Sequence, residues 1–291
     1  MTDHTTVPAA DTVLRYTAFA TDPAGGNPAG IVLDATALDD AEMLKIAAEL
    51  GYSESAFVTP GPAGSDQNVH TIRYFSPKAE VSFCGHATVA TAVALAERHG
   101  TGDYLFHTPA GEVPVTVDRA DGVLRGTLTS VAPHLEDVSD GDLTEALAAL
   151  GWPTDDLDPA FPPRIAYAGA RHLVLAAATR ERLADLSYDF DRLLNLMHRL
   201  DLTTVQLVWR EDASTFHVRD PFPVGGVVED PATGAAAAAF GAYLRELGLV
   251  PSAAELTLYQ GADMGRPGEL TVTLRDGDPR VRVSGAAVPI P

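Results

Sequence analysis

Three places in the chain hold residues whose types and spacing could do chemistry. Glu54 stands in Tyr52-Ser53-Glu54-Ser55-Ala56-Phe57-Val58, ahead of an apolar run and with an aromatic on each side. A carboxylate partly desolvated in this way can have its pKa raised toward neutrality and serve as a general base; a solvated glutamate at a strand start is the alternative. Cys84-Gly85-His86 precedes an alanine-rich run, and Asp230-Pro231-Ala232-Thr233-Gly234-Ala235 precedes a second one. As the starts of two helices, Gly85 and Gly234 would present backbone N–H groups and a partial positive charge, which suit a carboxylate or a developing enolate. His86 and Asp230 flank these starts, each as a structural or capping group or as a substrate contact. Cys84 is either a proton carrier of lowered pKa or a small buried hydrophobe. Packing is the expectation, because it has no second thiol and Glu54 already offers a base.

The elements that must hold these residues are legible in the hydrophobic spacing. Strands are expected over 13–19 and 31–33 around the turn Gly25-Gly26-Asn27-Pro28, then over 55–59 and 69–75. Met43, Ile46, Ala47 and Leu50 share one helical face, with Asp39 or Asp40 as cap and Gly51 as stop. The run 87–98 reads as a helix, followed by strands over 104–107, 113–117 and 124–128. The acidic stretch 131–142 marks the best boundary. Beyond it come a helix over 142–150, strands over 164–168 and 173–177, two helices, a strand over 205–209 and the alanine-rich helix 235–247. Thr233-Gly234 thus holds in the second half the place of Cys84-Gly85 in the first. That echo predicts two similar α+β domains: 11–130, completed by a C-terminal strand near 281–291, and 131–280. Each should have a mixed sheet around a central helix, with Glu54, His86 and Asp230 lining one cleft.

Composition narrows the partners. The 291 residues carry a formal charge of −20, so a phosphate backbone would be repelled and nucleic acid is excluded as a partner. With 46% hydrophobic residues the chain can bury a core, as acidic disordered chains cannot. A single cysteine allows no intramolecular disulfide and points to a cytoplasmic setting. Residues 1–12 lack a signal-peptide pattern and read as a loose tail, and no apolar run is long enough to span a membrane. HExxH, Walker, GxGxxG and GxSxG patterns are absent, and one cysteine rules out a cysteine-rich zinc site.

Five collinear segments carry a family resemblance: Gly25-Gly26-Asn27-Pro28 with 31–34, Ser53-Glu54-Ser55-Ala56-Phe57-Val58, 75–77 through 83–88, Glu229-Asp230-Pro231-Ala232-Thr233-Gly234, and Gln260-Gly261-Ala262-Asp263-Met264-Gly265-Arg266-Pro267. The chain resembles the PhzF family of isomerases, of diaminopimelate epimerase-like fold, over nearly its whole length. The resemblance implies a cofactor-free site without a metal, a small carboxylic acid as substrate, usually a homodimer, and Glu54 as the acid/base group. It also implies that Gly85, His86, Asp230, Gly234 and Ala235 contact the substrate, with Ala235 standing where the family pattern has a serine. A proton shift across one face of a substrate needs a single carboxylate, whereas inverting a stereocentre generally needs groups on both faces. Thr233 excludes the two-cysteine epimerases that share the fold. Two rival readings remain: a Cys84/Thr233 lyase resembling hydroxyproline dehydratases, and a protein that binds a small carboxylate without turning it over.

Overall fold

A computed structural model describes residues 13–291; the stretch 1–12, read as a loose tail, lies outside the described residues. The chain divides into two compact units, one of residues up to 129 together with 284–291, the other of 130–283.

In the first unit, β1 (Leu14–Ala18) and β2 (Asn27–Val32) pair antiparallel across the glycine turn. Gly26 is required there: its φ is +56°, and a β-carbon on it would fall on the Ala18 carbonyl. The helix α1 (Asp40–Leu50) begins on a capping box, in which Asp39 accepts from the Glu42 N–H and Glu42 from the Asp39 N–H. It buries Met43, Ile46 and Ala47 and ends on left-handed Gly51. This helix crosses over to β3 (Glu54–Pro60), which lies parallel to β2 with Ala29 opposite Glu54. The strand β4 (Val69–Phe75) runs antiparallel to β3, and the short β5 (Glu80–Val81) folds back on it. The second crossover is α2 (Gly85–His99), leading to β6 (Gly102–Thr108) parallel to β4, then to the antiparallel β7 (Gly111–Ala120) and β8 (Val123–Thr129). Every residue of α2 from His86 to Ala96 is buried, and β1, β2, β3, β7 and β8 all touch it. A helix apolar on all sides is stable only when surrounded, and this sheet surrounds it.

The second unit opens with β9 (His134–Asp137) and α3 (Asp140–Leu150), capped by Ser139. The acidic stretch 131–142 thus holds this strand and the helix start. Its charge is met by arginines: Asp137 pairs with Arg164 at 3.2 Å and Glu136 with Arg171 at 2.5 Å. The order continues with β10 (Arg164–Tyr167) antiparallel to β9, β11 (Arg171–Ala176), α4 (Arg180–Ala184) and α5 (Phe190–Leu200). Then come β12 (Thr204–Arg210) parallel to β11, β13 (Thr215–Pro221) and the two-residue β14 (Glu229–Asp230). The helix α6 (Gly234–Glu246) crosses to β15 (Ala254–Gln260), parallel to β13, followed by β16 (Gly268–Arg275) and β17 (Asp278–Pro289). The last residues of β17 pair with β1 in the first unit's own sheet, Thr17 opposite Val288. Like α2, α6 is buried along nearly its whole length, against β9, β10, β11 and β16. Gly241 lets it approach closely, since a β-carbon there would lie 2.5 Å from Val272 Cγ1. A separate cluster of Leu147, Leu150, Trp152, Leu193, Leu196 and Met197 joins α3 and α5 over the other side.

Candidate active site

In the first unit, strand register brings the chemistry together. Glu54 opens β3 and Cys84 caps α2, with its backbone extended (φ −145°, ψ 112°) and no side-chain bond to the helix N–H groups. The Cys84 Sγ lies 3.6 Å from Glu54 Oε2, 3.4 Å from His86 Nδ1 and 3.7 Å from His86 Nε2. His86 Nε2 lies 3.6 Å from Glu54 Oε2. The sulfur distances are those of weak thiol hydrogen bonds, with Cys84 donating to Glu54, whereas 3.6 Å between His86 Nε2 and Glu54 is too long for one, so the three groups are neighbours that a substrate or a proton can draw together. Asn27, at the head of β2, places Nδ2 3.1 Å from His86 Nδ1. An amide donor there makes Nδ1 an acceptor and leaves the ring proton on Nε2, on the Glu54 side. Burial lowers the pKa of His86 while Glu54 opposes the shift, so the neutral imidazole prevails.

The backbone beneath this cluster is braced. Thr88 Oγ1 donates to the Cys84 carbonyl at 2.6 Å, and Tyr74 OH, 2.6 Å from that hydroxyl, is left to donate to it. The Tyr74 ring meets Phe83 edge-on at 6.1 Å. The turn that carries Cys84 is thus tied to β4 by buried hydrogen bonds and an aromatic contact.

In the second unit, Thr233 caps α6, again with no side-chain bond to the helix N–H groups. Its hydroxyl donates to Asp230 Oδ2 at 2.6 Å, and its own N–H donates to Gln260 Oε1 at 2.9 Å. Gln260 Nε2 donates to the Asp230 carbonyl at 2.8 Å and to Thr233 Oγ1 at 3.0 Å. Gly261 makes this possible: it is left-handed (φ +79°), and a β-carbon on it would collide with the carbonyls of Arg266 and Pro231. Gly234 and Ala235 are the first two residues of α6, Gly234 buried and Ala235 half-buried, so Ala235 offers a methyl group at the exposed side of the turn.

Behind Asp230 lies a buried polar chain. Asp220, opposite Asp230 across the β13–β14 pair, accepts from Thr204 Oγ1 at 2.7 Å. His172 Nδ1 lies 2.8 Å from the same hydroxyl, which, having given its proton to Asp220, accepts from the imidazole. Burial pushes Asp220 well above the usual carboxylate range, reinforced by Asp230 and Glu229, and pushes His172 down to about 3. Both stand neutral. Glu229 lies in a buried two-pronged pair with Arg219 (2.6 and 2.9 Å).

The structure brings Glu54, Gly85 and His86 together at one helix start, and Asp230, Gly234 and Ala235 together at the other. Sequence reasoning gave Cys84 to packing; it is buried, yet its sulfur touches both Glu54 and His86. It passed over Asn27 and Gln260 as side chains with a role, although both sit in quoted motifs. The chain Asp220–Thr204–His172 carried no local signal, because it joins three strands.

The family profile described as PhzC-PhzF, phenazine biosynthesis-like protein, matches residues 16–291. The uncharacterized isomerase YddE of Escherichia coli strain K12 is 34% identical over 95% of each chain. The trans-2,3-dihydro-3-hydroxyanthranilate isomerase of Pseudomonas fluorescens is 32% identical over 93% of this chain and 94% of its own. A crystal structure of the PhzF-family phenazine biosynthesis protein of Bacillus anthracis superposes with a TM-score of 0.84 at 28% identity over 96% of both chains.

Proposed function

The chain belongs to the phenazine biosynthesis-like PhzC-PhzF family, and we propose that, as an isomerase of that family, it moves a proton within a small amino- or hydroxy-carboxylic acid with Glu54 as the acid/base group. The observation that carries this reading is the Glu54 carboxylate at the head of β3, 3.6 Å from both the Cys84 sulfur and His86 Nε2 beside the uncapped start of α2. The carboxylate takes a proton from a carbon activated by the substrate's carboxyl group or double bond and returns it to another carbon on the same face. One group then does both steps, without a cofactor. Neutral His86, with its proton on Nε2, donates to the Glu54 carboxylate or to a substrate heteroatom. Backbone N–H groups at Gly85 and Gly234 receive negative charge, with Asp230 binding an amino or hydroxyl group. The methyl of Ala235 gives a substrate no hydroxyl contact. The name of the Pseudomonas fluorescens relative, whose substrate is a hydroxylated amino-carboxylic acid, supports the substrate class.

The test is proton exchange with solvent. A panel of small amino- and hydroxy-carboxylates is incubated with the protein in deuterated water and followed by NMR. We expect deuterium uptake at a carbon of at least one compound, slowed about a hundredfold or more in Glu54→Gln, the scale on which removal of a general base acts. Exchange that survives Glu54→Gln and vanishes in Cys84→Ala would move the chemistry to the thiol. Binding of a carboxylate with no exchange at all would make the chain a binder.

A further inference from the structure

A buried polar pocket lies between the strands of the second unit and α6. Leu173 and Leu175 on β11 and Val205 and Leu207 on β12 face the cluster under α3 and α5. His172, Thr204 and Gln206 alternate with them and point to the opposite face, where α6 packs. Asp220 on β13 joins that face, as its bond from Thr204 shows, and so does Phe216, whose ring meets Phe240 of α6 at 5.0 Å. His172, Gln206 and Asp220 are fully buried. Four of their polar atoms meet no hydrogen-bond partner among the described residues: His172 Nε2, Asp220 Oδ2, and both ends of the Gln206 amide, Oε1 and Nε2. Register gathers these atoms. His172 lies opposite Thr204, two residues before Gln206 on β12, and the pair Leu207–Arg219 sets Gln206 beside Asp220. Such neighbours on one sheet face are about 5–7 Å apart, a span that small bridging molecules cover. Four buried polar atoms left unmet in one place would cost a large share of a domain's stability. We propose that this pocket is a binding site for internal water, with one ordered molecule at each end of the Gln206 amide, linking it to His172 and to Asp220.

The donors and acceptors select the ligand. His172 gives its Nδ1 proton to the Thr204 hydroxyl, so Nε2 accepts. Asp220 is protonated in the fold and carries its O–H on Oδ2, because Oδ1 accepts from Thr204. The Gln206 amide donates from Nε2 and accepts at Oε1. The occupant must therefore donate to two of these atoms and accept from the other two. A metal ion or an ammonium ion accepts nothing, and a halide donates nothing. A neutral imidazole and a neutral carboxyl also leave no charge for a buried ion to balance. Water both donates and accepts, and it is small enough. Room for it is left by α6, which carries alanine at every position from 235 to 239, side chains too short to fill the space beside a long glutamine. Bridged in this way, the chain His172–Thr204–Asp220 closes through Gln206 into a ring across β11, β12 and β13, directly behind Asp230. Gln206 then supports the start of α6 without touching a substrate, and the inference stands apart from the isomerase reading.

A high-resolution crystal structure of the whole chain gives the first reading. We expect electron density for a water within hydrogen-bond distance of each end of the Gln206 amide, one bonded to His172 Nε2 and one to Asp220 Oδ2. Stability gives a second reading, and its sign decides. Gln206→Met keeps the length and unbranched shape of the side chain and removes both polar ends. In a hydrated pocket the waters lose their partners and Tm should fall by a few degrees; in a dry pocket an unmet amide is removed and Tm should rise. Magnetic relaxation dispersion of the water oxygen should count at least one long-lived water fewer in Gln206→Met than in the parent. Density at neither end of the amide, a raised Tm, or an unchanged number of long-lived waters would overturn the proposal. So would a bound ion whose contacts are all donors or all acceptors. Should Gln206→Met fail to fold, the crystal structure of the parent decides alone.

Discussion

The starts of α2 and α6 share one backbone frame and fill it differently. Each helix follows a strand and crosses to a parallel one, β4–α2–β6 in the first unit and β13–α6–β15 in the second. Each is capped by a residue that makes no side-chain bond to the helix N–H groups, and each is buried nearly all round. At α2 the frame holds Glu54, Cys84 and His86, three groups that exchange protons and approach one another at 3.4–3.7 Å. At α6 it holds Thr233, Asp230 and Gln260, joined by four hydrogen bonds of 2.6–3.0 Å. The first arrangement stores exchangeable protons, and the second spends its polar groups on holding the turn rigid. One frame therefore suits proton transfer in one unit and anchoring in the other.

The largest expected effect tests this division directly. Glu54→Gln should reduce exchange about a hundredfold or more at saturating substrate, a loss in kcat. Asp230→Asn, at the anchoring start, should instead raise KM by about tenfold, corresponding to about 1.4 kcal/mol of binding, with kcat altered far less. Steady-state exchange kinetics of the two variants separate these outcomes. A kcat loss as deep in Asp230→Asn as in Glu54→Gln would break the comparison.

Stability should report the same contrast. Gln260 is 1% exposed and makes three of the four bonds at α6. Gln260→Ala strands the Thr233 N–H, at about 1–3 kcal/mol for a buried group left unsatisfied. We expect about 2 kcal/mol of lost stability by chemical denaturation. Cys84→Ala at α2 should cost about 1 kcal/mol or less and slow exchange by less than tenfold, since only loose sulfur contacts vanish. A larger loss in Cys84→Ala than in Gln260→Ala would reverse the roles of the two starts.

The frame was readable in the sequence, and the filling was read in part. Two small-residue turns before two alanine-rich runs revealed both helix starts, because caps, glycine and all-round apolarity are local signals. Asp39, Met43, Ile46, Ala47 and Gly51 were legible for α1 for the same reason. The partners across strands were not. Asn27 reaches His86 because β2 lies parallel to β3 with Ala29 opposite Glu54, and Asp220 backs Asp230 because β13 pairs with β14. Register is a tertiary outcome that single-chain spacing does not encode. The ion pairs of the acidic stretch 131–142 were hidden for the same reason: Arg164 and Arg171, which pair with its carboxylates, lie on β10 and β11.

The smallest expected effect concerns what supports the anchoring start. Asp220 faces Thr204 on β12, with His172 on β11 beyond it, and Asp230 and the paired Glu229 on β14; Arg219 beside it is committed to Glu229. Burial and these two carboxylates raise its pKa in the folded protein above the ordinary 3.8. Between 3.8 and the raised value the folded state binds a proton that the unfolded chain has released. The contribution of Asp220 is therefore full below pH 3.8 and is lost as pH rises toward the folded pKa. Asn at this position keeps the oxygen that accepts from Thr204 and puts an N–H donor where the protonated carboxyl had its O–H, without the titration. Asp220→Asn should raise Tm at neutral pH by a few degrees, and the gain should shrink to nothing as pH falls toward 3.8. His172 pulls the other way in both proteins, because its folded pKa of about 3 lies below 6.5 and stability drains as pH falls between them. It cancels in the difference between variant and parent. Thermal melts of the pair from pH 4 to 8 read that difference directly. A gain that grows on acidification, or a loss at neutral pH, would mean that Asp220 is ionised in the fold and that the anchoring start rests on a charge instead of a neutral hydrogen-bonded chain.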